Sequence, residues 1–182
     1  MTMKLKNWQV GLAVGLSAAA IATNFVSCVS IPKGARAVKP FNKGRYLGTW
    51  YEIARIDFRF EKNLDHVMAT YTQNADGSIR VDNKGYDTLK KEWKESIGKA
   101  KFVKDAQLGR LKVSFFGPFY AGYNVIAIDD DYRYAMIAGN NNDYLWLLSR
   151  EKSIPATVRT AYLKQAAGLG YDVSRLVWTN QL

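Results

Sequence analysis

Chemistry that needs several cooperating side chains finds little support in this chain. His66 is the only histidine among its 182 residues, so neither a multi-histidine metal site nor a histidine relay can be assembled. The sequence contains no G-x-S-x-G elbow and no phosphate-cradling glycine loop. Asp129-Asp130-Asp131 has the composition of a turn and not of an acid-base pair. No catalytic residue, metal ligand or cofactor is therefore expected. Two residues remain whose chemistry depends on where they sit. Cys28 is the only cysteine, which excludes an intrachain disulfide, and Glu52 is a carboxylate in a largely apolar run.

The surroundings of Cys28 suggest what its thiol does. Lys4 and Lys6 precede a stretch from Val10 to Ala22 that is apolar apart from Ser17, and Phe25-Val26-Ser27-Cys28 comes next. Basic, apolar and small residues in that order read as a secretory signal. A run interrupted by Thr23, Asn24 and Ser27 is short for a bilayer-spanning helix, which needs roughly 20 predominantly apolar residues. The single cysteine directly after a small residue resembles a bacterial lipobox, in which that cysteine is diacylated and becomes the new N-terminus. Ser27 fits this pattern, and Phe25 replaces the usual leucine. The resemblance implies a signal peptide over 1–27, a lipidated N-terminus and linker over 28–40, and a folded domain over 41–182. Two or three acyl chains, at about 0.8 kcal/mol per buried CH₂, would hold the protein on a membrane without spanning it. Val29 stands where the inner-membrane retention signal places aspartate, which implies the outer membrane, facing the periplasm. The competing reading is a plain secretory signal with an incidental cysteine, although an exported free thiol is a liability.

Composition bounds the rest of the chain. Hydrophobic residues make up 48% and charged residues 23%, which describes a globular domain and argues against a disordered chain or a polytopic membrane protein. The length suits a single domain with one core. The net charge of +10, to which the leader adds only Lys4 and Lys6, directs attention to anionic partners. Nucleic acid is not expected for an exported domain without a recognition motif. Lys84, Lys90, Lys91, Lys94, Lys99, Lys101 and Lys104, interrupted by Asp87, Glu92 and Glu95, form either a solvated face or a rim that attracts lipid phosphates.

From Tyr46 onward, short alternating segments separated by Asp, Asn and Gly predict antiparallel strands joined by hairpins. The predicted strands are 46–56, 67–73, 78–85, 92–103, 110–116, 122–128, 133–138 and 144–149. Eight is the number at which a closed barrel can hold one small ligand. Ser153 and Pro155 then open a helix running to Ala167, closed by Gly168 and Gly170, and a short last strand is expected within 174–179.

Gly48-Thr49-Trp50-Tyr51 matches the G-x-W motif of lipocalins, and the longer Tyr46 to Arg55 block resembles their bacterial branch. Two further blocks agree in order and spacing: Ser114 to Tyr120 with Gly122-Tyr123-Asn124-Val125, and Asp143 to Arg150. The family's threonine-aspartate-tyrosine motif survives only as Asp130. The resemblance runs from about Phe41 to the C-terminus. It implies an all-β fold: an eight-stranded antiparallel up-and-down lipocalin barrel with one C-terminal α-helix packed outside and a short last strand. It assigns Trp50 and Arg150 to closing the barrel floor, so Gly48, Trp50, Asp130 and Arg150 are scaffold. It implies binding, storage or transport of a lipid in the cell envelope: a fatty acid, lysophospholipid or phospholipid. The alternatives are an enzyme acting on a barrel-bound lipid and a structural lipoprotein without a ligand. Association into a homodimer is left open.

Alternation selects the lining. With Arg150 at the floor, Leu148, Trp146 and Tyr144 face inward, and Leu145 and Leu147 face out. Leu111, Val113 and Phe115 face inward between Arg110, Lys112 and Ser114, as do Ile79 and Val81. Tyr71 shares its face with Val67 and Ala69. For Tyr123 and Val125 against Gly122, Asn124 and Ile126 the pattern does not decide. The candidate ligand-binding residues are thus Tyr71, Leu111, Val113, Phe115, Tyr144, Trp146 and Leu148. Parity with Trp50 puts Glu52 inside as well, where it requires a partner such as an arginine or a tyrosine hydroxyl.

Overall fold

The computed structural model describes residues 29–181; the signal segment and Cys28 lie outside the described residues. A short helix, α1 (Lys43–Tyr46), precedes eight strands: β1 (Gly48–Ile56), β2 (Leu64–Gln73), β3 (Ile79–Asp87), β4 (Glu92–Phe102), β5 (Arg110–Phe116), β6 (Phe119–Ile128), β7 (Tyr134–Ala138) and β8 (Leu145–Ser149). Helix α2 (Ala156–Gly168) and the short strand β9 (Leu176–Trp178) complete the chain. Each strand from β2 to β8 pairs antiparallel with its sequence neighbour, and β1 pairs with both β2 and β8, which closes the barrel. The connections after β1, β3, β5 and β7 therefore share one end, the mouth. Those after β2, β4, β6 and β8 share the other end with α1, the floor.

The expected strands are all present, with shifted ends. Tyr46 and its predecessors form α1 because the Asn42 side chain accepts the Arg45 amide at 3.1 Å and caps the turn. The strand expected within 174–179 is half occupied by a 3₁₀ turn over Val173–Arg175, anchored by Asp172 accepting from the Ser174 amide.

Period-two alternation sorts the apolar residues into two cores. Trp50, Tyr71, Ile79, Val81, Ala100, Leu111, Val125, Ile137 and Leu148 fill the inside, joined from the floor by Phe41, Tyr46 and Tyr132. Ala54, Ile56, Met136, Leu145 and Leu147 face out and are covered by Tyr162, Ala166, Tyr171 and Leu176 from the C-terminal segment. Leu145 and Leu147 on the outside and Leu148 and Trp146 on the inside agree with the expected parity. The undecided segment resolves with Tyr123 and Val125 inside and Ile126 outside.

Strand β1 is irregular where it meets β8. Its register shifts between Glu52 and Ala54, so Ile53 forms a bulge and the strand changes phase. Backbone groups freed by a bulge need other partners. Here the C-terminal tail supplies them: the Thr179 amide donates to Ile53 O at 3.1 Å, while the Thr179 hydroxyl and Gln181 Nε2 both donate to Glu52 O.

The segment before the domain lies along the outer wall. Ser30 donates its amide and hydroxyl to Asn140 in the β7–β8 loop, and Val29 O accepts from Arg110 Nη2 at 2.8 Å. Farther on, the Val38 amide donates to Val125 O, and Val38 O accepts from the Gly109 amide near the floor.

Candidate functional site

The floor is closed by interlocked groups. Trp50 is fully buried and donates Nε1–H to Tyr46 O at 2.8 Å. The Arg150 guanidinium lies 3.9 Å from the Trp50 ring centroid, a contact of roughly 0.5–2 kcal/mol. Its N–H groups also donate to the carbonyls of Thr49, Arg45, Tyr46 and Leu47. Gly48 has φ +93, which an L side chain adopts only with strain, and an added Cβ would come within 3.3 Å of Arg150 Nη1. In the β6–β7 turn it is Asp129 that accepts the amides of Arg133 and Tyr134, at 2.7 and 2.6 Å, while Asp130 is exposed.

Above the floor, three tyrosine hydroxyls meet in the barrel. Tyr123 OH lies 2.5 Å from Tyr46 OH and 2.7 Å from Tyr71 OH. Burial pushes Tyr71 up to about 12, so these phenols stay neutral and satisfy one another. Of the expected lining residues, Tyr71, Leu111 and Leu148 are buried within the core. Val113, Phe115 and Trp146 face the same interior but are only partly buried. Tyr144 ends the β7–β8 loop and stacks on Trp146, with centroids 6.3 Å apart and planes 18° apart.

The mouth carries polar groups, of which alternation anticipated only Glu52. Glu52 is buried and pairs with Arg55 Nη1 at 2.7 Å, which meets the requirement for an arginine partner. The bulge makes this possible, because regular alternation would send Arg55 to the outer face. Arg55 also reaches Asp57 at 3.0 Å and the carbonyls of Glu61 and Leu64 at 2.7 and 3.2 Å. Glu61, in the β1–β2 loop, turns back over the mouth and accepts Trp146 Nε1–H at 2.9 Å. Burial and then the neighbouring Glu52 push the Glu61 carboxyl up to about 8; burial also raises Glu52 against the opposing pull of Arg55. Phe58 from the same loop stands edge-on to Tyr144 and Trp146, with centroids 5.5 and 5.8 Å away. Among the described residues no three His, Cys, Asp or Glu side chains are grouped to hold a metal ion.

The barrel is thus sealed below by Trp50 and Arg150, lined by apolar side chains and a tyrosine cluster, and bordered at the top by aromatic rings and carboxylates.

Comparison with known proteins agrees with that form. The Lipocalin-like domain family matches residues 41–181. The chain is 51% identical over 150 residues to "Outer membrane lipoprotein Blc" of Citrobacter freundii, covering 82% of this chain and 85% of that protein. To the protein of the same name from Escherichia coli (strain K12) it is 48% identical over 168 residues, covering 91% and 95%. Insecticyanin from the tobacco hornworm Manduca sexta superposes with a TM-score of 0.67 at 19% identity, covering 85% of this chain and 88% of that one, which is a likeness of fold. The closed eight-stranded barrel, the G-x-W tryptophan under its arginine and these matches together place the chain in the lipocalin family.

Proposed function

We propose that the protein binds a single-chain or two-chain lipid in its barrel and carries or stores it in the cell envelope without transforming it. The observation that carries this reading is the change in burial along the inner wall. Near the floor, Trp50, Leu111 and Leu148 are packed. Toward the mouth, Val113, Phe115 and Trp146 face inward yet keep accessible surface. An acyl chain covering that surface would gain about 25 cal/mol per Å² of apolar area. Tyr71, Leu111, Val113, Phe115, Tyr144, Trp146 and Leu148 are the proposed lining, with the first, second and last forming its lower limit.

The tether is proposed at Cys28, whose leader resembles that of a lipoprotein. The names of the bacterial relatives support an outer-membrane location, as does Val29 in place of the retention aspartate; the periplasmic face is proposed.

Organic extraction of the protein purified from envelopes, followed by lipid mass spectrometry and by titration of the stripped protein with palmitate, tests the binding. A stoichiometric co-purifying lipid or saturable quenching of tryptophan fluorescence is expected. Absence of both would leave the ligand-free structural role, and conversion of the lipid on incubation would indicate an enzyme. Cys28→Ser is expected to release the domain from membranes with its β-sheet circular dichroism unchanged.

A further inference from the structure

The open end of the barrel exposes apolar side chains that the fold does not use. Phe60 in the β1–β2 loop is 61% exposed and Leu89 in the β3–β4 loop 73%. Phe116 and Phe119, which flank the Gly117-Pro118 turn between β5 and β6, are 71% and 74% exposed. Single exposed apolar residues are ordinary on a protein surface, but four at one end, on three of its four connections, mark an interaction face. The same loops carry cations. Arg59, Lys62, Lys90 and Lys91 are exposed, and none of the four is in an ion pair among the described residues. The neighbouring acids turn elsewhere, Asp57 and Glu61 toward Arg55 and Asp87 toward Lys94, which leaves Glu92 as the exposed acid beside them. Cations interleaved with exposed apolar tips suit a lipid headgroup layer, where phosphates meet the first and the acyl boundary receives the second.

The N-terminal segment leaves the domain at this same end. Near the floor, the Val38 amide and carbonyl pair with Val125 O and the Gly109 amide. From there toward Val29 the chain climbs the outer wall. Ser30 bonds Asn140 of the β7–β8 loop, and its carbonyl accepts from Asn124 Nδ2 at 3.0 Å. A Cβ on Gly122 would lie 3.2 Å from Val29 Cγ1, so Val29 sits against a residue of β6 only about 10 Å along the strand from Phe119. The next residue is Cys28.

We propose that the open end of the barrel docks on the bilayer that holds the tether, with Phe60, Leu89, Phe116 and Phe119 in the headgroup layer and Arg59, Lys62, Lys90 and Lys91 on lipid phosphates. This rests on the acyl anchor at Cys28 proposed above: the anchor brings the mouth to the surface, and the loops seat it there. The loop contacts need little affinity of their own, because a short linker holds the domain at a high effective concentration beside the surface. A lipid leaving the bilayer then enters the barrel past Phe58 and Trp146 without crossing open water.

With Cys28 acylated, a cysteine placed elsewhere is the only free thiol. Leu89→Cys and Phe119→Cys at the mouth, and Lys104→Cys in the β4–β5 loop at the floor, are each coupled to an environment-sensitive fluorophore in the full-length protein purified from envelopes. The labelled proteins are reconstituted into phosphatidylethanolamine–phosphatidylglycerol vesicles doped with brominated lipid. Quenching is expected to be about fivefold stronger at the two mouth positions than at Lys104. In the unaltered protein on vesicles, trypsin is expected to cut after Lys90 or Lys91 several-fold more slowly than in the released Cys28→Ser variant, and after Lys104 at a similar rate in both. This second measurement decides the matter if a labelled variant does not fold. Protein that floats with the vesicles but is quenched equally weakly at all three positions, with Lys90 and Lys91 still cut, overturns the docking and leaves the tether standing. Protein that does not float overturns both. Mouth labels shielded without vesicles in the Cys28→Ser background, increasingly so with protein concentration, would assign the patch to a second copy of the chain and overturn the docking.

Discussion

Glu52 and Arg55 both point into the barrel from one strand, three residues apart, with 2.7 Å between Oε1 and Nη1. Regular alternation forbids this, and the bulge at Ile53 permits it. Both side chains are almost wholly buried, where removing one member of an ion pair leaves the other uncompensated. Arg55→Met is therefore expected to lower the unfolding free energy by about 3–5 kcal/mol in urea titration. The double variant Glu52→Gln with Arg55→Met should recover part of that loss, because the most deeply buried carboxylate is then neutral, while Asp57, which also loses its partner, keeps contact with solvent.

Glu61 gives the stability a pH dependence of unusual sign. Its carboxyl titrates at about 8 in the folded protein and near the ordinary glutamate value, about 4.3, when unfolded. Between those values the folded state binds the extra proton, so stability is highest at the acid side and falls as pH rises toward 8. Glu52, raised in the same direction, adds to the slope. Thermal unfolding should show Tm decreasing by roughly 2–4 °C for each kcal/mol lost, and Glu61→Gln should flatten the profile. A Tm that climbs from pH 5 to 8 would contradict this assignment. Below pH 4 the opposite trend takes over, because Asp87 and Asp105 are held low, by the Lys94 ion pair and by the Gln107 amide respectively, and must be protonated.

The floor depends on Arg150 through geometry more than through charge. One guanidinium covers Trp50 and reaches four backbone carbonyls. Arg150→Lys keeps the charge but loses the planar fork, so a loss of about 1–3 kcal/mol is expected, close to that of Arg150→Ala. Denaturant titration of the two variants side by side checks this.

A small change on the outer wall should free the N-terminal segment. A Cβ on Gly122 would lie 2.5 Å from Asn140 Oδ1 and 2.8 Å from Ser30 O, closer than packed atoms approach. Gly122→Ala is expected to displace residues 29–31 while leaving the barrel closed. Limited proteolysis should then cut after Lys33 or Arg36 at least several-fold faster, with the barrel core still resistant.

The scaffold was legible in the residues because its determinants are local or repetitive. Alternation placed Leu111, Val113, Phe115, Trp146 and Leu148 inside and Leu145 and Leu147 outside, as found, whereas Ser114, expected to meet water, is buried; the Gly48 to Arg55 block identified the floor. The mouth was not legible in the same way. Arg55 stood at the wrong parity, since nothing in Glu52-Ile53-Ala54 announces a bulge whose freed carbonyls are satisfied from Thr179 and Gln181, far along the chain. Glu61 lay in a loop whose return over Trp146 depends on the closed barrel beneath it. Asp130 matched a family motif, yet the turn is held by its neighbour Asp129, because only the first aspartate of the three lies beneath the Arg133 and Tyr134 amides.

With the tether proposed at Cys28, the docked N-terminal segment would set a leash length. Val29 and Ser30 are fastened to Arg110 and Asn140, so an acyl-bearing Cys28 would be joined to the barrel by a single peptide unit of about 3.8 Å. A domain held so closely cannot ferry cargo across a wide aqueous gap while anchored. Its exchange would be confined to the membrane that holds it, or to partners brought against that membrane. Peeling residues 29–40 from the wall would lengthen the leash to at most about 40 Å, so the hydrogen bonds of Ser30 would regulate working radius and not affinity.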